Sequence, residues 1–173
     1  MNRKTWAPRG QTPVQRAWDR YDRLSVIGAV TLSPQRRQIS TPFQIHTDNI
    51  RTAEAVAFIK ALRNSFRGPL IIVLDRWSVH RAAAKRVETS RVESIEFEWL
   101  PPYSPELNPD EYLNGDLKQE INQDRLPNSR DELKQRVQRV MNMFANLPQH
   151  IAAYFQHPNI QYAGAKCGLS SIA

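Results

Sequence analysis

LPPYSPELNPDEYLNGDLK, residues 100–118, is the stretch on which the reading of this chain turns. Pro101, Pro102 and Pro105 stiffen the turn around Tyr103 and Ser104 and so set the angle at which the next element begins. Asn108 is a preferred helix cap, and Pro109 suits the first helical position, where its missing N–H costs nothing. A helix over residues 109–122 follows from that pattern. Asp110 and Glu111 fall in its first turn, where the macrodipole favours negative charge, and acids there commonly do no more than that. They differ by about 100° around the axis. One of them therefore faces the sheet, and periodicity does not say which.

Working back, LIIVL at 70–74 is short, continuous and β-branched, which predicts a strand buried on both faces. Asp75 follows it directly. A carboxylate there emerges at the edge where open α/β sheets form their ligand crevices, but Asp is equally a favoured cap for a following helix. Asp75 and Glu111 are separated by 35 residues. Brought together by folding, two such acids supply what a divalent metal needs in order to cut or join a phosphodiester backbone. His80 lies five residues beyond Asp75. It either contacts a phosphate or orients a metal-bound water, or it is a structural hydrogen-bonding residue, the commoner case. His46, His150 and His157 make no ligand-spaced cluster. Arg76, Arg81 and Lys118 are among the basic residues that can meet phosphate as forks or point charges, while most of the others belong to solvated faces. Trp6, Trp18, Trp77 and Trp99 read as core or interface residues rather than base-stacking platforms, because no basic groove repeats around them.

The remaining pattern supplies the frame. Residues 1–13, with Pro8, Gly10 and Pro13, read as an extended arm. A strand candidate at 23–32 stops at Ser33-Pro34, and 37–46 makes its antiparallel neighbour, with Pro42 marking an edge or a bulge. Val56, Ile59, Leu62 and Phe66 recur at helical intervals until Gly68-Pro69. A second helix begins at Ala82. Ile95, Phe97 and Trp99 then alternate with Glu96 and Glu98 as in a half-buried strand. Ser129 and Glu132 have capping-box spacing ahead of a helix buried along Leu133, Val137, Val140, Met141 and Phe144, and a short helix runs from Pro148 to Phe155. The order β-β-α-β-α-β-α-α predicts an α/β fold, a mixed sheet flanked by helices in one domain.

At 173 residues the chain is long enough for one sizeable core. Its formal charge of +7 favours a polyanionic partner, most often nucleic acid. A single cysteine, Cys167, excludes an internal disulfide framework and a zinc site and fits a reducing cytoplasm. The N-terminus has no signal-peptide pattern and no apolar run is long enough to cross a bilayer, so a membrane function is not expected.

Three segments carry a resemblance to the DDE transposases of bacterial insertion sequences, in the mariner-like superfamily. They are WAPRGQTP at 6–13, IIVLDRWSVHRA at 71–82 and the stretch at 100–118; HIAAYFQHPNIQYA at 150–163 is a weaker match. The resemblance implies an RNase H-like fold in which three carboxylates hold two Mg²⁺ or Mn²⁺ ions. Carried over residue by residue, Asp75 matches the second acid and Glu111 the third, which selects Glu111 over Asp110. Arg76 stands where the family often has Asn. The family's first Asp belongs to a strand before WAPRGQTP, where this chain has only Met1 to Thr5; Asp19 and Asp22 come after that segment and are no natural substitutes.

The resulting expectation is an N-terminally truncated transposase domain. Residues 1–22 are an arm, 23–125 an RNase H-like core lacking its first, central strand, and 126–173 a helical extension. Its activity would be metal-dependent DNA cleavage and strand transfer during transposition of an insertion sequence, in the cytoplasm. Asp75 and Glu111 serve as catalytic and metal-binding acids, and His80, Arg76 and Lys118 as DNA or phosphate contacts. The expected partners are the terminal repeats and target DNA, with a second copy of the chain or an upstream-frame polypeptide supplying the missing strand. The alternative is a catalytically inactive remnant that acts only as a nucleic-acid-binding or interaction module.

Overall fold

A computed structural model describes residues 9–10, 23–35, 37–90, 92–123 and 127–164. The order is β1 (Ser25–Gly28), β2 (Thr31–Leu32), β3 (Ile39–Ser40), β4 (Phe43–His46), α1 (Thr52–Ser65), β5 (Leu70–Leu74), α2 (Ser78–Thr89), β6 (Ile95–Trp99), a 3₁₀ turn (Pro105–Leu107), α3 (Pro109–Ile121), α4 (Arg130–Ala145), α5 (Pro148–Tyr154) and α6 (Gln161–Gly164). The segment at 6–13, the arm at 1–22 and Cys167 lie outside the described residues, apart from Arg9 and Gly10.

The first two runs form an interrupted antiparallel hairpin. β1 pairs with β4 from Ser25↔His46 to Gly28↔Phe43, and β2 pairs with β3 through Thr31↔Ser40 and Leu32↔Ile39. Between the two halves the Ala29 N–H donates to the Pro42 carbonyl at 3.0 Å, but Pro42 has no N–H to return the bond. The ladder therefore breaks at the proline, as its chemistry predicts.

β5 and β6 pair in parallel from Leu70↔Ile95 to Leu74↔Trp99, with α2 as the crossover. One face of this pair packs Ile72, Ile95 and Phe97 onto a core of Ala55, Ile59, Ala83 and Val87 from α1 and α2. The opposite face carries Ile71 and Val73, 67% and 47% exposed, beside Glu96 and Glu98. The expectation that 70–74 is buried on both faces is thus corrected. Among the described residues, helices cover one side of β5 only, because the later helices pack elsewhere.

Those helices cover the hairpin. Leu113 and Leu117 of α3 meet Val137, Val140, Met141 and Phe144 of α4 and Ile151 and Tyr154 of α5, and Val26, Ile39, Phe43 and Ile45 close this second core from the hairpin side. Val26 reaches this core while its neighbour Ile27 reaches the α1–α2 core. Alternation along β1 therefore makes the hairpin a middle layer between two helical layers.

Among the described residues the architecture is mixed α/β, with short sheets and six helices. The one mixed sheet expected is observed, among the described residues, as three two-stranded sheets, since β1 and β5 are not bonded to each other. The second helix starts at Ser78 rather than Ala82, because the turn built by Asp75 brings the chain into helix one turn early. Among the described residues no helix is long and apolar enough to cross a membrane.

Candidate active site

Parallel pairing puts the carboxyl ends of β5 and β6 at one edge, and the chain turns there twice. After β5, the Asp75 Oδ1 accepts the Trp77 N–H at 3.0 Å and lies 2.5 Å from His80 Nδ1. Asp75 is thus not the cap of α2, a position that Trp77 occupies without a side-chain cap bond. It builds the turn that leads into the helix. An ionised carboxylate only accepts, so His80 presents Nδ1–H to it, which orients both groups. His80 is thereby a hydrogen-bonding partner of Asp75. The Trp77 ring meets the His80 ring edge-on, with centroids 5.1 Å apart. Arg76 Nε donates to the Leu100 carbonyl at 3.2 Å and ties the end of one strand to the end of the other.

After β6, the proline turn leads into the 3₁₀ turn and α3. Asn108 caps α3 by accepting the Asp110 N–H at 3.1 Å, and Pro109 takes the first helical position, as the sequence predicts. Asp110 and Glu111 then diverge. Asp110 turns toward the hairpin: its Oδ1 lies 3.5 Å from the point where a Cβ on Gly28 would stand, and its Oδ2 accepts from Asn114 Nδ2 at 3.1 Å. Burial pushes its carboxyl above the usual aspartate range, with the neighbouring Glu111 charge adding to the effect and the Asn114 bond opposing it. Glu111 is exposed and opens on the other side. The question that helical periodicity left open is thereby answered: Asp110 faces the sheet.

Glu111 and Asp75 line one open pocket of about 450 Å³. Its wall combines Asp75, Arg76 and Trp77 after β5, the turn from Leu100 to Pro105 after β6, and Asn108 and Glu111 at the start of α3. Asp75, Arg76 and Glu111 thus line one pocket and His80 bonds Asp75, while Asp110 lies near enough for the charges of His80 and Asp75 to act on its carboxyl. Lys118 is exposed on α3 and does not line the pocket. Two carboxylates offer the hard oxygen donors that suit Mg²⁺ or Mn²⁺, and Mg²⁺ commonly takes one or two carboxylates and fills its remaining positions with water and phosphate oxygens. Among the described residues no group of three or more His, Cys, Asp or Glu side chains is placed to hold a metal.

Three features escaped the sequence reading. Trp77, expected in a core or interface, is 47% exposed, and Tyr103 is fully exposed with a left-handed φ of 58°. Away from the pocket, Asp116 Oδ2 accepts the Tyr154 hydroxyl at 2.5 Å and lies 2.7 Å from His150 Nε2, with Phe144 stacked on the His150 ring. Burial first, and then this bond to Asp116, push the Tyr154 phenol up. A separation of 34 residues between Asp116 and His150 leaves no local signal for that contact.

Among known families, the model of the DDE superfamily endonuclease family matches residues 1–134. No curated protein matches the chain.

Proposed function

Because this chain belongs to the DDE superfamily of endonucleases, we propose that it is the catalytic domain of a transposase of the mariner-like branch, encoded by an insertion sequence and acting on DNA. The observation that carries this reading is that Asp75 and Glu111 open into the same pocket at the carboxyl edge of a parallel strand pair. In this proposal both acids bind Mg²⁺ or Mn²⁺, which supplies Lewis-acid charge at the scissile phosphate. The protein's own groups do the positioning. His80 holds the Asp75 carboxylate in one orientation through Nδ1. Arg76, tied to Leu100 at Nε, offers guanidinium charge to the phosphate backbone, and Lys118 adds a contact further along α3. Residues 23–123 serve as the catalytic core, on which the helices α4 and α5 pack through α3.

The test is Mg²⁺- or Mn²⁺-dependent nicking of DNA carrying the terminal repeats, with wild type beside Asp75→Asn and Glu111→Gln. Each substitution keeps the side chain's size and removes its charge, so activity falls by at least about 100-fold if the acids hold the metal. Equal nicking by all three proteins would remove the assignment.

A second reading has its own observation. The formal charge of +7 also fits an inactive remnant that binds nucleic acid without cutting it. Salt-dependent DNA binding without nicking in either metal, unaltered by Glu111→Gln, would establish that module instead.

A further inference from the structure

The pocket offers more than two acids: it carries two exposed aromatic rings, Tyr103, which packs in no core, and Trp77, which meets the His80 ring edge-on and leaves much of its surface open. Tyr103 is 101% exposed, so its ring contributes nothing to a core. Its backbone has a φ of 58°, a conformation that bulky residues rarely adopt and that glycine or asparagine would fill without strain. Trp77 sits at the cap of α2, where Ser, Thr, Asp or Asn would bond an open N–H, and it makes no such bond. It too is 47% exposed. Two large rings therefore stand at positions where local structure prefers other residues, and both line the same pocket as Asp75 and Glu111.

The chemistry of that pocket narrows what the rings are for. Its volume of about 450 Å³ far exceeds what a hydrated cation needs and lies in the range of small-molecule sites. Pro101, Pro102 and Pro105 stiffen one part of the wall, and the Arg76 bond to the Leu100 carbonyl anchors that turn to the end of β5. The rings are thus held on a rigid frame. A flat, uncharged ligand suits aromatic faces beside two carboxylates better than another anion does. A nucleobase is such a ligand, and every base has a π-face on which Tyr or Trp can stack.

We propose that the pocket is a base subsite: Tyr103 and Trp77 stack an unpaired nucleobase next to the phosphate presented to Asp75 and Glu111. The subsite rests on the reading of this pocket as a nucleic-acid site, and it adds a specific requirement, that the strand be locally unpaired. Tyr103 is presented outward by a turn that Pro101, Pro102 and Pro105 stiffen, so its ring meets a base without a backbone rearrangement. A base held there fixes the strand's position relative to the acids without reading its sequence.

The experiment uses the full chain in EDTA, so no metal chemistry is required. A single-stranded oligonucleotide carrying 5-iodouracil is cross-linked to the protein by long-wavelength light, and the adduct is mapped by peptide mass spectrometry. Adducts on Tyr103 or Trp77 are expected. In parallel, Tyr103→Ala is expected to weaken binding of the same oligonucleotide roughly 10-fold, as loss of one base stack does, with Tyr103→Phe staying within about twofold of wild type. Full exposure of Tyr103 makes both variants safe for folding, which circular dichroism checks. Adducts confined to other residues, or unchanged affinity in Tyr103→Ala, would overturn the subsite. The two readings also separate. Nicking lost in Glu111→Gln with no Tyr103 effect keeps the endonuclease and removes the base subsite, whereas a Tyr103 adduct without nicking in either metal keeps the subsite and removes the endonuclease.

Discussion

Adjacent acids at the start of α3 have opposite environments, and that contrast governs what each can do. Asp110 is turned toward Gly28, and burial holds its carboxyl above the usual range; Glu111 is exposed at the pocket. A raised carboxyl pKa means the folded state resists ionisation more than the unfolded chain does. Stability from the neutral form is complete below the unfolded value, about 3.9 for aspartate, and is lost as pH rises through the folded value. In chelator-containing buffer, Asp110→Asn is therefore expected to raise the melting temperature at pH 7, with the gain shrinking as pH falls toward the ordinary aspartate range. Calorimetry across pH checks this, and a lower melting temperature at pH 7 would contradict it. Glu111→Gln, made on an exposed side chain, is expected to leave the melting temperature within about 1 °C, since surface substitutions seldom exceed about 0.5 kcal/mol.

Among the elements, α1 and α4 show how local chemistry sets a boundary. At α1 the Glu54 carboxylate accepts the Arg51 N–H at 2.9 Å, and backbone hydrogen bonds hold its pKa below the usual glutamate range. The sign is the reverse of Asp110. Its contribution is present above the unfolded value, about 4.3 for glutamate, and is lost as pH falls through the folded one. Glu54→Gln is expected to lower stability at pH 7 and to match wild type once pH drops below the folded value, as urea titrations at several pH values would show. At α4 the Ser129 Oγ accepts the Glu132 N–H at 3.0 Å, while Glu132 Oε2 accepts the Asn128 N–H at 2.8 Å. Ser129→Ala removes that cap and is expected to cost about 1 kcal/mol. β5 is the converse case. Its composition suits burial, yet two of its five side chains are exposed, because a strand cannot supply its own cover.

For the molecule as a whole, the second core crosses the end of the family match at residue 134. Val137, Val140, Met141 and Phe144 of α4 and Ile151 of α5 close over Leu113 and Leu117, on the same helix that carries Glu111. Arg136, 7% exposed, adds a bond from its Nη1 to the Ile121 carbonyl at the end of α3. Side chains beyond the family match, on the rest of α4 and on α5, thus hold the helix that bears one of the site acids. Leu113 is 1% exposed, and Leu113→Ala is expected to destabilise the fold by about 3 kcal/mol through lost burial and a residual cavity. Ending the chain at residue 134 uncovers that core outright, and near-ultraviolet circular dichroism is expected to lose its tertiary signal. A truncated chain with a native spectrum would refute the role given to α4 and α5.

Much of this was legible in the sequence because it is decided within a few residues. The caps at Asn108 and Ser129, the ladder break at Pro42, the end of α1 ahead of Gly68 and the alternation along β6 each depend on the chemistry of one or two neighbours. That Asp75 and Glu111 line one pocket follows from a strand end and a helix start separated by one βα crossover, which return to the same edge. What only the tertiary structure decided concerns direction and cover. Whether Asp110 or Glu111 faces inward depends on where the hairpin lies against α3; the exposure of Ile71, Val73 and Trp77 depends on where the later helices pack; and the contact of Asp116 with His150 and Tyr154 joins helices far apart in sequence. Local propensity carries no term for such partners, because the free energy of burying a side chain belongs to the surface it meets and not to the residue alone.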